Sequence, residues 1–454
     1  MGPPKALLAS AYHRDALPAL FGIPVPFILF GLTLLGIAVL QRHTLAVALS
    51  GLSAIVAFGL VAGGLDLRAH LQQEWVALAN LFGLLVGFGL LTDHFQRSNV
   101  PKVLPTFLPA GWWGAFTLLF VIFVLSSFLD NIAAAMIGGS IAMTVFQRKV
   151  HIGYIAGIVA AANAGGSGSV IGDTTTTMMW IDGVNPSDVL HAYGGAVVAL
   201  LVTASIAATQ QTRLSPILAD PIRAVTVDWP RLGIVAFVMA VAIGVNFLVN
   251  IRFNELEGTF PFLGASVCFA LLALAPLRMP DWRILPSTMR GSLFLLALVL
   301  SASLMPVSAL PKASWASTMT LGVFSAIFDN IPLTRLALAQ GGYDWGALAY
   351  AVGFGGSMMW FGSSAGVAIS NLYPEAKSVS SWLRGGWHVV LAFVLGIAAL
   401  QLGLGWHPHP PHKARPGGSY ARTSQVSGPL RSLARSPLPF CSTMCRTCPF
   451  TRSS

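Results

Sequence analysis

The chain has 454 residues, of which 55% are hydrophobic and 9% charged, with a mean hydropathy of +0.73. Too little polar surface remains to solvate a globule of that length, so a soluble enzyme or binding module is excluded and the chain belongs in a lipid bilayer. The formal charge of +10 does not signal a nucleic-acid partner. Most of it sits on Lys413, Arg415, Arg422, Arg431, Arg435, Arg446 and Arg452, beyond the last apolar run and with no acidic residue among them. That pattern reads as a solvated tail on the positive, cytoplasmic side of a membrane.

Apolar runs of roughly 17 to 25 residues recur, long enough as helices to cross a hydrocarbon core of about 30 Å. Lys5 and Arg14 precede a run broken by Pro18, Pro24 and Pro26 that goes on to spanning length, so the first helix is expected to target the chain in place of a cleaved leader. Residues 24–40 and 45–62 are the first two spans, antiparallel neighbours by virtue of their short link, and 75–91 is the third. Trp112 and Trp113 then suit an interfacial aromatic belt. The next span runs from Gly114 into Asp130-Asn131 and resumes from Ile132 to Phe146. It is either a re-entrant pair of half-helices meeting near Asp130 or one helix carrying a buried aspartate.

From Ile152 the chain enters a stretch with Gly165, Gly166, Gly168 and Gly172, followed by four threonines, Thr174 to Thr177. Each glycine costs a helix up to about 1 kcal/mol relative to Ala, and threonine is a mediocre helix former, so a broken backbone is expected here. Residues 194–208 complete the first half. A polar connector with Pro216, Pro221 and Pro230 leads to spans at 232–249, 260–277 and 291–307. Pro332 suits the first turn of a helix, so a fresh helix should start at Asn330, with that residue as its cap. Residues 347–370 carry a second glycine motif and 382–404 the last span. The plan is therefore an amino-terminal transmembrane repeat at 1–209, a connector at 210–230, a carboxy-terminal repeat at 231–404 and a basic tail at 405–454 with the composition of disorder. Cys441, Cys445 and Cys448 in that tail lack an evident fourth ligand and read as stray thiols rather than a metal site.

Two polar signatures recur in the same order in both halves. Ser126-x-x-x-Asp130-Asn131-Ile132 matches Ser325-x-x-x-Asp329-Asn330-Ile331. The glycine motifs match too, setting Gly165, Gly166 and Gly172 against Gly355, Gly356 and Gly362, and Asp173 against Ser363. Asp130, Asp173 and Asp329 lie deep in apolar sequence, where a charge costs several kcal/mol unless paired, hydrated or protonated. Backbone groups freed by a break at that depth must be buried in protein or line a water-filled cavity. Matched broken segments in two halves are how secondary transporters build a central ion site. The oxygens on offer are the three carboxylates, the amides of Asn131 and Asn330, and the hydroxyls of Thr174, Thr175, Ser357, Ser363 and Ser364, a set that suits a hard monovalent cation. Back-bonding to its own helix would account for any one hydroxyl alone.

The segments SSFLDNI at 126–132, NAGGSGSVIGDTTTTMMW at 163–180, SAIFDNIPLT at 325–334 and GFGGSMMWFGSSAGVA at 353–368 resemble the ion transporter superfamily, with its citrate-transporter-like domain. The resemblance covers about residues 21–404 and is nearest to NhaD-type sodium/proton antiporters and the related arsenite permeases. It implies an all-α polytopic membrane protein, an inverted repeat of two halves that each hold a re-entrant hairpin and a broken helix, commonly a homodimer, without a cofactor and in a bacterial inner membrane. It also carries Asp130, Asn131, Asn163, Asp173, Asp329 and Asn330 into a midmembrane site. The chain departs from the pattern after Asn131, where Ile-Ala-Ala-Ala lacks the usual Pro or Thr, and at Arg335, which either pairs with a carboxylate or snorkels, or else binds an anionic substrate. The expected function is exchange of sodium for protons. A permease for citrate, another carboxylate or an oxyanion such as arsenite is the second reading, and an intramembrane aspartyl protease a remote third, since Asp173 follows Val-Ile-Gly. Of the matched pair Asp173 and Ser363, only the aspartate takes up a proton, so cation and proton are expected to oppose each other there.

Overall fold

An apolar chain in lipid satisfies its own backbone most simply as helix, and helix dominates the described residues, 18–40, 43–217, 226–252 and 259–409 of the computed structural model. The cysteine-bearing part of the tail and residues 218–225 of the connector lie outside the described residues. A short antiparallel ladder comes first, β1 (Ala19–Leu20) on β2 (Ile23–Pro24), turned at Phe21 and Gly22. The first half then runs α1 (Val25–Val39), α2 (Thr44–Phe58), α3 (Leu67–Arg97), α4 (Val100–Val103), α5 (Gly111–Ser126), α6 (Asn131–Val145), α7 (Ile152–Ser167), α8 (Thr174–Ile181), α9 (Pro186–Leu190) and α10 (Ala192–Leu214). After it come α11 (Trp229–Arg252), α12 (Phe262–Leu274), α13 (Leu285–Ser303), α14 (Trp315–Ser325), α15 (Asn330–Gln340), α16 (Trp345–Gly355), α17 (Ser364–Leu372), α18 (Val379–Gly385) and α19 (Trp387–Gly403).

Among the described residues, four stretches are long and apolar enough to cross a membrane: Thr44–Ala62, Leu67–Arg97, Pro186–Leu214 and Trp282–Ser303. The α18–α19 pair, bent by 59°, makes a fifth if it is one span. Shorter apolar helices, α5, α6, α7 and α12 among them, fill in between. The chain is an all-α polytopic membrane protein. Helix α3 begins well before the apolar run that starts at Trp75, because Asp66 caps it by accepting a bond from the Ala69 amide at 2.9 Å.

Four helices are enclosed by protein along nearly their whole length, α7, α8, α15 and α16, and they form the centre around which the rest pack. Small residues permit that packing. A Cβ added at Gly195 of α10 would lie 2.7 Å from the Gly396 carbonyl of α19, and one at Gly157 of α7 would lie 3.0 Å from the Ala207 methyl of α10. Helices α1 and α2 make a separate cluster with α13, on the flank of this centre.

The packed chain continues past Leu404, where composition places the start of the tail. The His407 amide donates to Asp344 at 2.8 Å, the Trp345 indole donates to the His409 carbonyl at 2.6 Å, and Trp406 meets Trp315 edge to face. The other Asp344 oxygen caps α16 through the Ala347 amide at 2.9 Å. Asp344→Ala should therefore cost about 1 kcal/mol in lost capping and release residues 405–409, read as faster proteolytic nicking after Leu404.

Candidate functional site

The chain is broken at Asp130, and the same break recurs at Asp329. Helix α5 ends at Ser126 and α6 starts at Asn131, with Asp130 (φ −51°, ψ 140°) accepting the Ile132 amide at 3.2 Å. In the second half α14 ends at Ser325 and α15 starts at Asn330, with Asp329 (φ −53°, ψ 140°) accepting the Ile331 amide at 3.0 Å. The cap of α15 is therefore Asp329 and not Asn330. A cap keeps non-helical backbone, whereas Asn330 is already helical, and its amide is left to reach elsewhere. The glycine motifs break in parallel fashion: Asp173 caps α8 through Thr175 N, and Ser363 caps α17 through Gly366 N at 3.2 Å.

The glycines do something other than interrupt helix. Gly165 and Gly166 lie inside the last turn of α7, and Gly355 ends α16. A Cβ on Gly165 would collide with the Phe123 carbonyl at the end of α5, and one on Gly172 with the Ser126 carbonyl. The second half repeats this, with Gly355 against the Gly322 carbonyl of α14 and Gly362 against those of Ser325 and Ala326. Gly166 rests 2.8 Å from the Gly172 carbonyl and Gly356 2.8 Å from the Gly362 carbonyl, measured from an added Cβ. Absence of a side chain at these positions lets each motif lie on the end of the preceding broken helix, which places Asp173 and Ser363 beside the Asp-Asn pairs.

Asp173, 2% exposed, is the hub. Its Oδ1 accepts from Asn131 Nδ2 at 3.3 Å and from Thr175 N at 3.4 Å, and its Oδ2 accepts from Thr175 Oγ1 at 2.7 Å and from Asn330 Nδ2 at 3.3 Å. Both halves thus donate to one carboxylate. Asn163, fully buried, accepts from Asn131 Nδ2 at 3.0 Å and donates across to Ser357 Oγ at 2.9 Å and Ser363 Oγ at 3.1 Å. Asn131, Asn163, Asp173, Thr175, Asn330, Ser357 and Ser363 are in this way joined in one buried network. Asp130 and Asp329 stand at its edge, half-buried, the latter accepting from Ser364 Oγ at 2.9 Å. Thr174 is buried next to Asp173, while Thr176 and Thr177 turn their hydroxyls back to the Asp173 carbonyl. All four threonines are nonetheless helical.

Arg335 lies outside the network. Only 4% exposed, it donates through Nη2 to Glu74 of α3 and through Nη1 to Asp182, at the end of α8, at 3.3 Å. Pairing with carboxylates is the outcome, and both partners escape a reading of the sequence, since Glu74 sits just before an apolar run and Asp182 just after one.

Paired broken helices in a membrane fold, around a buried carboxylate and neutral amide and hydroxyl groups, are the kind of arrangement from which secondary transporters build ion sites. No protein-family model matches the chain. It is similar to Sodium/proton antiporter 1 of Arabidopsis thaliana, 27% identical over 366 residues that span 69% of this chain and 59% of the relative. Sodium/proton antiporter 2 of the same plant is 26% identical over 331 residues, 63% of this chain and 73% of the relative. The Na(+)/H(+) antiporter NhaD of Vibrio parahaemolyticus is 26% identical over 304 residues, 55% of this chain and 71% of the relative. The match spans less than two thirds of the first relative's own length. These likenesses relate the chain to ion transporters of the NhaD type.

Proposed function

We propose that the chain is a secondary sodium/proton antiporter in which Asp173 binds either the cation or a proton. The observation that carries this is the buried carboxylate of Asp173, held by amides from both halves and a threonine hydroxyl. Burial penalises its charge, and either a proton or a cation relieves the penalty, so each ligand expels the other. Asn131 and Asn330 now present Nδ2 to the carboxylate; half a turn about the amide would present their oxygens to a cation instead. The paired glycine contacts support reading residues 1–209 and 231–404 as repeats, which we take to be inverted, and Ser363 in the place matched to Asp173 leaves one carboxylate at that pair of positions.

A permease for citrate or an oxyanion would need an unengaged cationic side chain in the site, and Arg335 is bound by two carboxylates away from it. Half-helix N-termini do attract anions, but those of α6, α8 and α15 already carry Asp130, Asp173 and Asp329 of the chain itself.

Purified protein in proteoliposomes should move protons against sodium in a screen of sodium, lithium, potassium and citrate at two pH values. Absence of cation-driven proton movement from folded protein would overturn the reading, and citrate uptake without it would favour the permease. Ser363→Ala removes one neutral oxygen and an α17 cap worth about 1 kcal/mol. We expect the apparent KM for sodium to rise about fivefold while protons stay coupled to it, measured as the ratio of sodium to proton flux.

A further inference from the structure

Arg335, a departure from the family pattern, is not used by the ion site directly, yet its helix begins in that site. Asn330, the first residue of α15, touches Asp173, and Arg335 follows five residues later, about 7.5 Å along the axis. Helix α8 likewise begins beside Asp173 and ends at Asp182. The guanidinium joins the far end of α8 to α15, and through Glu74 it joins both to α3, which packs mainly on α12 and α13 and also touches α8. Two short helices that meet at the site are therefore tied together again beyond it.

The contact being steadied is a long one. Asn330 Nδ2 reaches Asp173 Oδ2 at 3.3 Å, so a small slide of α15 along its axis would lose it. Packing of the buried first turn and the Ser364 bond to the Asp329 cap hold α15 in its axial position, but among the described residues the only polar tie from its later turns to other helices is Arg335, and Pro332 brings no amide of its own. A planar guanidinium, with separate nitrogens on Glu74 and Asp182, is suited to setting that position because its donors diverge in a fixed plane.

We propose that Arg335 is a positioning residue of the ion site: clamped between Glu74 and Asp182, it sets the reach of Asn330 to Asp173 and so the affinity for the cation. This rests on the antiport reading. It does not touch the ion, so its effect passes through Asn330. The test is sodium-driven proton flux in proteoliposomes, with apparent KM and maximal rate measured for the parent, Arg335→Lys, Glu74→Gln, Asn330→Ala and the double variant Glu74→Gln/Asn330→Ala. Arg335→Lys keeps the charge and loses the fork, and Glu74→Gln keeps the shape and loses one ion pair. Each should raise the KM for sodium about fivefold with the maximal rate within about twofold, and Asn330→Ala should do the same. Because one residue acts through the other, the double variant should bind sodium no worse than Asn330→Ala alone, whereas independent effects would multiply to about 25-fold. The proposal is overturned if both clamp variants keep the parental KM while losing thermal stability, or if the double variant shows the multiplied loss. Should Arg335→Lys not fold, Glu74→Gln and its double decide alone. A folded parent without sodium-driven flux overturns the antiport reading itself, an outcome distinct from an active parent with indifferent clamp variants.

Discussion

Asp173→Asn is expected to abolish exchange of cations for protons while leaving the folded protein in place. Asparagine caps a helix about as well as aspartate, so α8 should still start at Thr174, and the side-chain oxygen can still accept from Thr175. What disappears is the charge that attracts a cation and the group that takes its proton. Breaking a buried charge pair by removing one partner costs on the order of 3–5 kcal/mol, so sodium-driven proton flux should fall at least about a hundredfold. Asp130→Asn and Asp329→Asn act on half-buried groups at the edge of the network, and both should weaken cation binding while the surviving flux stays coupled. Equal flux from Asp173→Asn and parent protein, with pH dependence retained, would move the coupling group elsewhere.

Gly165→Ala should be lost at the level of the fold. The added methyl meets the backbone of Phe123, with its carbonyl carbon 2.8 Å away, and backbone at the end of α5 cannot move aside as a flexible side chain would. Helix α7 is enclosed along its length, so it cannot retreat either. Overpacking of this kind costs about 1–3 kcal/mol in an adaptable core and more where backbone is the obstacle. We expect little or no monodisperse protein after extraction in detergent. Gly233→Ala is the matched control: nothing lies within 4 Å of its added methyl, α11 is helical there, and the change should be neutral or stabilising by up to about 1 kcal/mol. A thermal melt of Gly165→Ala equal to that of Gly233→Ala would contradict the close-approach account.

Much of the site could be read in the sequence, because a polar residue in an apolar run is conspicuous and the run occurs twice. The fresh start near Asp329, the pairing of the glycine motifs and the amides of Asn131 and Asn330 follow from that contrast, whereas at Asp130 it allows either a break or one continuous helix, and Asn163 enters only through the family resemblance. The reach of α3 did not, since hydropathy marks where a helix is apolar and Asp66 starts this one among Arg68, His70, Gln72 and Gln73. Glu74 and Asp182 were hidden for the same reason: each borders an apolar run and looks like loop until another helix places an arginine beside it. The choice of Asp329 over Asn330 as cap turns on one residue's backbone angles, beyond what residue type alone resolves. Gly165 and Gly355 look like helix breakers in sequence, and only the neighbouring carbonyls of Phe123 and Gly322 reveal that their role is contact.

The central claim, that one buried carboxylate holds either a cation or a proton, is tested most directly by the apparent KM for sodium as a function of pH in proteoliposomes. With direct competition at Asp173, the KM should rise about tenfold for each pH unit on the acid side of that group's titration, with the maximal rate at saturating sodium little changed. A KM for sodium that stays flat while protons still slow transport would contradict the claim, placing proton and cation on separate groups.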